Sequence, residues 1–185
     1  VVWHDYRSGS GYADIYGARV SSSGSVLDSS GIPVSTANYN QSLPGIVWNG
    51  SNFWLVWSDS RSYSYSDIYG ARVASSGAVL DTSGIALTRG ANGQHQPAVA
   101  TDGNSYLLVC TYYRSGYYSD IYGVRVSSLG SVLDPSGIAV STANYVQSRP
   151  SVAWNGATYL VVWEDLRGGS NYDIYGARVS TSGSV

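Results

Sequence analysis

DIYGARV, residues Asp14–Val20, occurs four times in this chain and decides its fold. The copies begin at Asp14, Asp67, Asp120 and Asp173, and only the third differs, with Val124 in place of alanine. Successive copies are 53 residues apart, without drift. A fixed period of this length indicates one supersecondary unit that is repeated in tandem, each unit packing against its neighbours.

Each complete unit contains four segments with the composition of β-strands, labelled A to D. Segment A ends in Asn-Gly or Asp-Gly, dipeptides that favour the tight turn of a hairpin. Segment B is rich in Tyr, Leu, Val and Trp, which fit a pleated, buried surface. Segment C is the DIYGARV heptapeptide, and segment D contains an Asp-x-x-Gly turn that should bulge or divide it. In the second unit these segments are Gly45–Gly50, Asn52–Asp59, Asp67–Val73 and Val79–Thr88.

Short strands, regular turn signals and a period near 50 residues predict an all-β protein. The architecture is a β-propeller, or an arc of one, made of four-stranded antiparallel blades. A β-solenoid is the alternative, although its coils are usually shorter. The chain should form a single repeat domain of about three and a half blades: 1–36 (segments B-C-D), 37–88, 89–141 and 142–185 (segments A-B-C).

The edges of such an arc would be unpaired, and unpaired strand edges promote association. A closed ring of four to eight blades removes them. We therefore expect the chain to be part of a longer repeat protein or to associate as a homo-oligomer, and we favour the first.

Composition narrows the class of protein. The chain has 185 residues, a net charge of −2 and ten basic residues, all arginine. Nucleic-acid binding is disfavoured because no basic stripe exists. Abundant Tyr, Gly and Ser with little charge suit an extracellular β-protein. No apolar run approaches the roughly 18 residues needed to span a membrane. Cys110 stands where other units carry Trp57 and Trp163, which predicts a buried apolar substitution rather than a reactive thiol.

The loops that join segments B and C, and the connectors that join D to the next A, should lie on one face of the propeller. Function usually resides on loops held by a rigid scaffold, and these loops are rich in tyrosine and arginine. We therefore place candidate ligand-binding residues on this loop face. They are Tyr6, Arg7, Tyr12, Arg61, Tyr63, Tyr65, Arg114, Tyr117, Tyr118, Arg167 and Tyr172.

Several repeated polar residues have a structural explanation as well. In Trp57-Ser58-Asp59-Ser60-Arg61 the Asp and Arg are two apart and lie on one face of a strand, which favours an ion pair closing the B–C hairpin over a ligand-facing arginine. The leading Asp of each heptapeptide should cap its loop. Calcium ligation by these Asp residues is a weak alternative, because no known calcium-loop spacing is present, and no other cofactor is predicted.

No catalytic constellation is recognisable, and the sequence predicts a protein that is not an enzyme. His4 and His95 do not repeat, and Glu164 is the single glutamate. There is no nucleophile elbow, phosphate loop or metal-binding His cluster. The main departures from the repeat are Cys110, Tyr112 and the connector at 89–96.

The stretches Trp154-Asn155-Gly156, 159–165 (YLVVWED) and 173–179 (DIYGARV) resemble tandem repeats of large secreted or surface-attached prokaryotic proteins. That resemblance implies a β-propeller, an extracellular setting and a binding or scaffolding role. It supplies no active site that could be transferred.

The function predicted from sequence is a non-catalytic extracellular or cell-surface module. It would act in adhesion or glycan recognition through the loop face, with a glycan or another surface protein as partner. The alternative is a structural subunit of a sheath or filament. A polysaccharide-active enzyme is ranked last.

Overall fold

The computed structural model describes residues 1–90, 92–114 and 117–185. Ala91 of the predicted connector and Ser115 and Gly116 of the predicted third B–C loop lie outside the described residues. The described part contains fourteen strands and no helix, hence no helix that could cross a membrane. The strands are β1 (Val2–Asp5), β2 (Asp14–Gly17), β3 (Ile32–Ser35), β4 (Gln41–Trp48), β5 (Asn52–Asp59), β6 (Asp67–Ala74), β7 (Ile85–Ala86), β8 (Gln94–Thr101), β9 (Ser105–Tyr113), β10 (Ser119–Ser127), β11 (Ile138–Ser141), β12 (Gln147–Trp154), β13 (Tyr159–Asp165) and β14 (Asp173–Val179).

These strands form four antiparallel sheets, or blades, in chain order. The second and third blades are four-stranded, β4-β5-β6-β7 and β8-β9-β10-β11, whereas the first (β1-β2-β3) and fourth (β12-β13-β14) are three-stranded. Strand β8 packs against both β4 and β12, so the first strands of successive blades lie side by side and form the inner layer. The predicted arc of four-stranded propeller blades is confirmed.

Hydrophobic layers between successive blades hold the arc together. Trp54 of the second blade stacks on Tyr106 of the third, with ring centroids 4.9 Å apart, and both rings are buried. Strand β5 is buried on both faces, because it lies inside its own sheet and each sheet is covered by a neighbour. The repeat is therefore stabilised chiefly by contacts between adjacent units, as expected of a tandem array.

Segment D is shorter than the sequence predicts because its first part leaves the sheet. A single bridge joins Val73 to Val79 before regular pairing resumes at β7. Arg72 fastens this turn, since its guanidinium and its backbone N–H both donate to the Asp81 carboxylate. The same arginine–aspartate clamp joins Arg19 to Asp28 and Arg125 to Asp134.

Candidate functional site

The inner strands each carry a β-bulge near their first residues, at the loop face. The register shifts between Ser42 and Gly45 in β4, and the same shift recurs at 95–98 in β8 and 148–151 in β12. One non-glycine residue in each bulge has a positive φ: Leu43 (54°), Gln96 (55°) and Arg149 (52°). Positive φ is uncommon for non-glycine residues, and strained positions of this kind cluster at functional sites.

The bulge residue differs from blade to blade although its surroundings repeat. Leu43, Gln96 and Arg149 all precede the proline of a Gln-x-x-Pro motif. A second variable position lies beside it on the next strand, opposite the isoleucine of the heptapeptide. In chain order this position holds His4, Ser58, Thr111 and Glu164. We call these seven residues the variable ring.

The variable ring connects the third and fourth blades through polar contacts. The Gln96 Oε1 atom accepts a hydrogen bond of 2.9 Å from the Thr111 hydroxyl and one of 3.1 Å from the backbone N–H of Arg149. Arg149 in turn places its Nη1 atom 3.2 Å from both carboxylate oxygens of Glu164. An amide, a guanidinium and a carboxylate thus lie side by side at the loop ends of β8, β12 and β13.

A groove of about 450 Å³ opens over these groups. Pockets of roughly 300–1,000 Å³ suit small ligands. Tyrosine side chains from the B–C loops surround it, and among the described residues that line it Glu164 supplies the one carboxylate. The lining residues are Gln96, Tyr113, Tyr117, Ser119, Val146, Ser148, Arg149, Glu164 and Tyr172.

Tyr117 and Tyr172 were predicted from the sequence, whereas Arg149, Gln96 and Glu164 were missed as a set. The third position of the Gln-x-x-Pro motif, which holds Gln96 and Arg149, was not among the candidate residues. A signal was available: Leu, Gln and Arg succeed one another inside an otherwise regular motif. Variation of this kind marks a position that the repeat itself does not constrain.

The remaining predicted tyrosines are exposed on the same face but lie in separate groups. Tyr12 and Tyr63 meet through Tyr39 of the first connector, with ring centroids 5.3 and 5.2 Å apart. Tyr118 packs edge-on against Tyr145, at 6.0 Å. The other two, Tyr6 and Tyr65, are exposed on their own loops. Neither Tyr39 nor Tyr145 was among the predicted residues.

Arg61 is held inside its blade by a cluster of four side chains that we call the tryptophan cluster. Both Arg61 and the Trp57 indole N–H donate to the buried Asp59 carboxylate, and the guanidinium lies 4.0 Å from the centre of the Tyr69 ring. Equivalent clusters contain Trp3, Asp5, Arg7 and Tyr16 in the first blade, and Trp163, Asp165, Arg167 and Tyr175 in the fourth. The ligand-binding role of Arg7, Arg61 and Arg167 stays a prediction, and the contacts shown are intramolecular.

Ionisation of the aspartates reflects these contacts. Hydrogen bonds from Arg7 and then Trp3 hold the pKa of Asp5 well below its usual range. Burial opposes ionisation of Asp165, yet hydrogen bonds from Arg167 and Trp163 outweigh it and its pKa is also lowered.

The third blade has no tryptophan cluster, and Arg114 is placed differently. Its Nε atom lies 2.9 Å from the Asp120 carboxylate, and its Nη2 atom donates to the carbonyl of Ala143. Burial raises the pKa of Asp120, with Arg114 opposing the shift. Arg114, Tyr118, Asn144 and Tyr145 line a further depression of about 310 Å³ on the loop face.

The heptapeptide aspartates do not gather into a metal site. Among the described residues no group of three or more His, Cys, Asp or Glu side chains is placed to hold an ion. Asp14, Asp67 and Asp120 instead lie one per blade at the first residues of segment C.

No protein-family model matches the chain, and neither does any curated protein. Solved structures share its fold. An α-L-arabinofuranosidase from Lactobacillus brevis matches with a TM-score of 0.59 and 14% identity, over 93% of this chain and 64% of that one. A thermostable family-43 glycoside hydrolase gives 0.65 and 13%, over 95% and 66%. A Bacillus subtilis arabinanase gives 0.54 and 17%, over 92% and 65%. The chain therefore spans just under two thirds of the length of these structures.

These matches overturn the prediction of a non-catalytic binding or scaffold module that is not an enzyme, because the fold is shared with glycoside hydrolases. The prediction was wrong because it rested on the absence of a known catalytic motif from the repeat, and a missing motif does not exclude a fold that enzymes use. The surface-protein partner, the homo-oligomer, the extracellular location and the resemblance to surface repeat proteins stay predictions.

Proposed function

We propose that this chain is a propeller segment of a polysaccharide-active enzyme. The glycan would lie in the groove over Arg149 and Glu164, and arabinan is the substrate class suggested by the arabinanases that share the fold. The observation that carries the proposal is the variable ring: its residues change from blade to blade within a repeat, and three of them, Gln96, Arg149 and Glu164, line one groove.

The groove has the chemistry that sugar binding requires. Tyrosine rings offer flat apolar faces to the C–H surfaces of a sugar, while guanidinium and amide groups bond to its hydroxyls. Tyr117 is 95% exposed, so its ring is available to a ligand, and Tyr113 and Tyr172 stand on the same groove. Arg149 and Gln96 provide the polar groups beneath them.

Glu164 is the group proposed to carry the chemistry. Most glycoside hydrolases use two carboxyl groups, one that donates a proton to the leaving oxygen and one that acts as base or nucleophile. Glu164 would supply one of them at the wall of the groove, and Arg149 would fix its orientation through the contacts at 3.2 Å. The second carboxylate would come from outside the groove described above.

The test is release of reducing sugar from linear arabinan by the full natural polypeptide that contains these residues. We expect Glu164→Gln to lower kcat by about 10²–10⁴-fold, the usual contribution of an acid–base group. Tyr117→Ala should chiefly raise KM, because it removes binding that the ground state and transition state share. Asp173→Asn is the matched control, since it neutralises an exposed carboxylate of the same blade that does not line the groove.

Two results would overturn the proposal. One is full activity in the Glu164→Gln variant, which would remove the proposed catalytic group. The other is neither hydrolysis nor binding of arabinan or arabino-oligosaccharides, which would remove the groove as a glycan site.

A further inference from the structure

In the first and second blades an indole ring fills the space beneath the Asp-x-x-Gly turn of segment D. The turn glycine of the second blade, Gly84, lies so near Trp57 that a Cβ atom added there would be 3.2 Å from the indole. Gly31 of the first blade bears the same relation to Trp3. The space under this turn is therefore shaped by the repeat to hold an indole.

The third blade keeps the turn but not the indole. Cys110 replaces the tryptophan and Tyr112 replaces the aspartate that accepts the indole N–H. The atoms nearest to a Cβ added on Gly137 belong to Tyr122, 3.2 Å away, and to the backbone of Gly123. Arg114 has also moved away to Asp120, whereas Arg61 of the second blade covers the equivalent tyrosine ring.

These replacements leave a cavity of about 160 Å³ between the second and third blades. Leucine, valine, proline and tyrosine supply six of its fourteen lining residues, with Thr88, Arg89, Gln94 and Ser136 as polar neighbours. The Asp134 carboxylate that borders it is already bonded to Arg125. Its lining residues are Leu87, Thr88, Arg89, Gln94, Leu108, Cys110, Tyr112, Tyr122, Gly123, Val124 and 134–137.

The size and lining of the cavity indicate its occupant. Apolar cavities of about 150 Å³ bind rings of the size of benzene. Tyr112 and Tyr122, whose ring centroids are 5.1 Å apart, provide the tilted and edge-on partners that aromatic rings prefer. The fully buried Cys110 thiol has a pKa raised by burial to about 12, so the cavity contains no thiolate.

We propose that this cavity binds a small neutral aromatic compound of one or two fused rings, in the place that tryptophan fills in the sister blades. The site is distinct from the Arg149–Glu164 groove and has a separate lining. It does not depend on the proposed glycan chemistry.

The test is ¹⁹F NMR of 5-fluoroindole titrated with the protein. We expect saturable binding with one site per chain, and a loss of affinity of at least about tenfold in Cys110→Trp, because the new side chain fills the cavity. Cys110→Ser keeps the cavity open and should keep the binding. Circular dichroism of each variant would establish that it is folded.

A transplant gives an independent measurement should Cys110→Trp fail to fold. The double variant Trp57→Cys with Asp59→Tyr gives the second blade the pair found in the third, and should raise the number of fluoroindole sites from one to two. The proposal is overturned if the natural chain shows no saturable binding, if Cys110→Trp binds equally well, or if the folded transplant still binds one equivalent. Arabinan hydrolysis should be the same in Cys110→Trp, which separates this site from the groove.

Discussion

The second and third blades are copies of one unit, yet different side chains pack beneath the segment D turn in each. The second holds a charged network in which the fully buried Asp59 carboxylate accepts hydrogen bonds from Trp57 and Arg61. The third has the neutral pair Cys110 and Tyr112 in the corresponding positions and a cavity beside them.

The comparison shows that the indole and the carboxylate that accepts its N–H are lost together, while the arginine and the heptapeptide tyrosine are kept. A buried charge that loses one partner destabilises a protein strongly, whereas replacing all members by apolar groups can be nearly neutral. The third blade has lost both the indole donor and the aspartate, and its arginine has found the Asp120 carboxylate instead. Because Tyr112 replaces the aspartate, the third blade has no carboxylate that the missing indole would leave without its donor.

The largest effect is expected from a substitution that breaks the tryptophan cluster of the second blade. Trp57→Ala should lower the free energy of unfolding by about 3–5 kcal/mol, because it leaves a cavity and removes the indole donor from Asp59. Cys110→Ala in the third blade should lower it by less than about 1 kcal/mol. Urea unfolding followed by circular dichroism measures both, and equal losses would contradict the distinction between the two blades.

The strands of these blades could be predicted because their signals are local. Asn49-Gly50 marks a tight turn, and Asn49 Oδ1 accepts the backbone N–H groups of Ser51 and Asn52 there. The hydrophobic composition of β5 is likewise visible in the sequence. These features can be predicted without knowing how the neighbouring blade packs.

The candidate site could be predicted only in part because it depends on contacts between blades. The sequence shows that Tyr117 and Tyr172 belong to loops on one face, but not that both border one groove. Arg149 and Glu164 are 15 residues apart, and only the pairing of β12 with β13 brings them together. The bulge at Arg149, which sets the direction of that side chain, has no clear signal apart from Pro150.

A smaller effect comes from aspartates outside the tryptophan clusters, whose pKa values are shifted in opposite directions. Arg19 lowers the pKa of Asp28 to about 2, and Arg72 lowers that of Asp81. A carboxyl group whose pKa is lowered by folding stabilises the folded state at pH values above its pKa in the unfolded chain. This contribution is lost as the pH falls from about 4 towards 2. Asp120 has a raised pKa, so any stability from its protonated form is lost as the pH rises through that value.

Carboxyl ¹³C shifts measured between pH 6 and pH 2 would test this difference residue by residue. As the pH falls, Asp120 should titrate before the ordinary aspartates and Asp28 after them. Asp81→Asn should remove a contribution to stability that grows as the pH rises. Asp120→Asn should remove a contribution that declines as the pH rises. Identical titration of Asp81 and Asp120 would contradict the opposite effects of ion pairing on the pKa of Asp81 and of burial on the pKa of Asp120.

The smallest effect concerns the thiol that replaces the tryptophan. Cys110 is buried and its pKa is raised by burial to about 12, so at pH 8 it is present as the unreactive thiol. We expect a maleimide to label it at least about 100-fold more slowly than a cysteine introduced by Ser62→Cys on an exposed loop. Because the cavity beside Cys110 lies within the arc, labelling should accelerate in urea together with unfolding. Rapid labelling of the native chain would show that the third blade opens on its own, and that the loss of its tryptophan cluster has made it less stable than its neighbours.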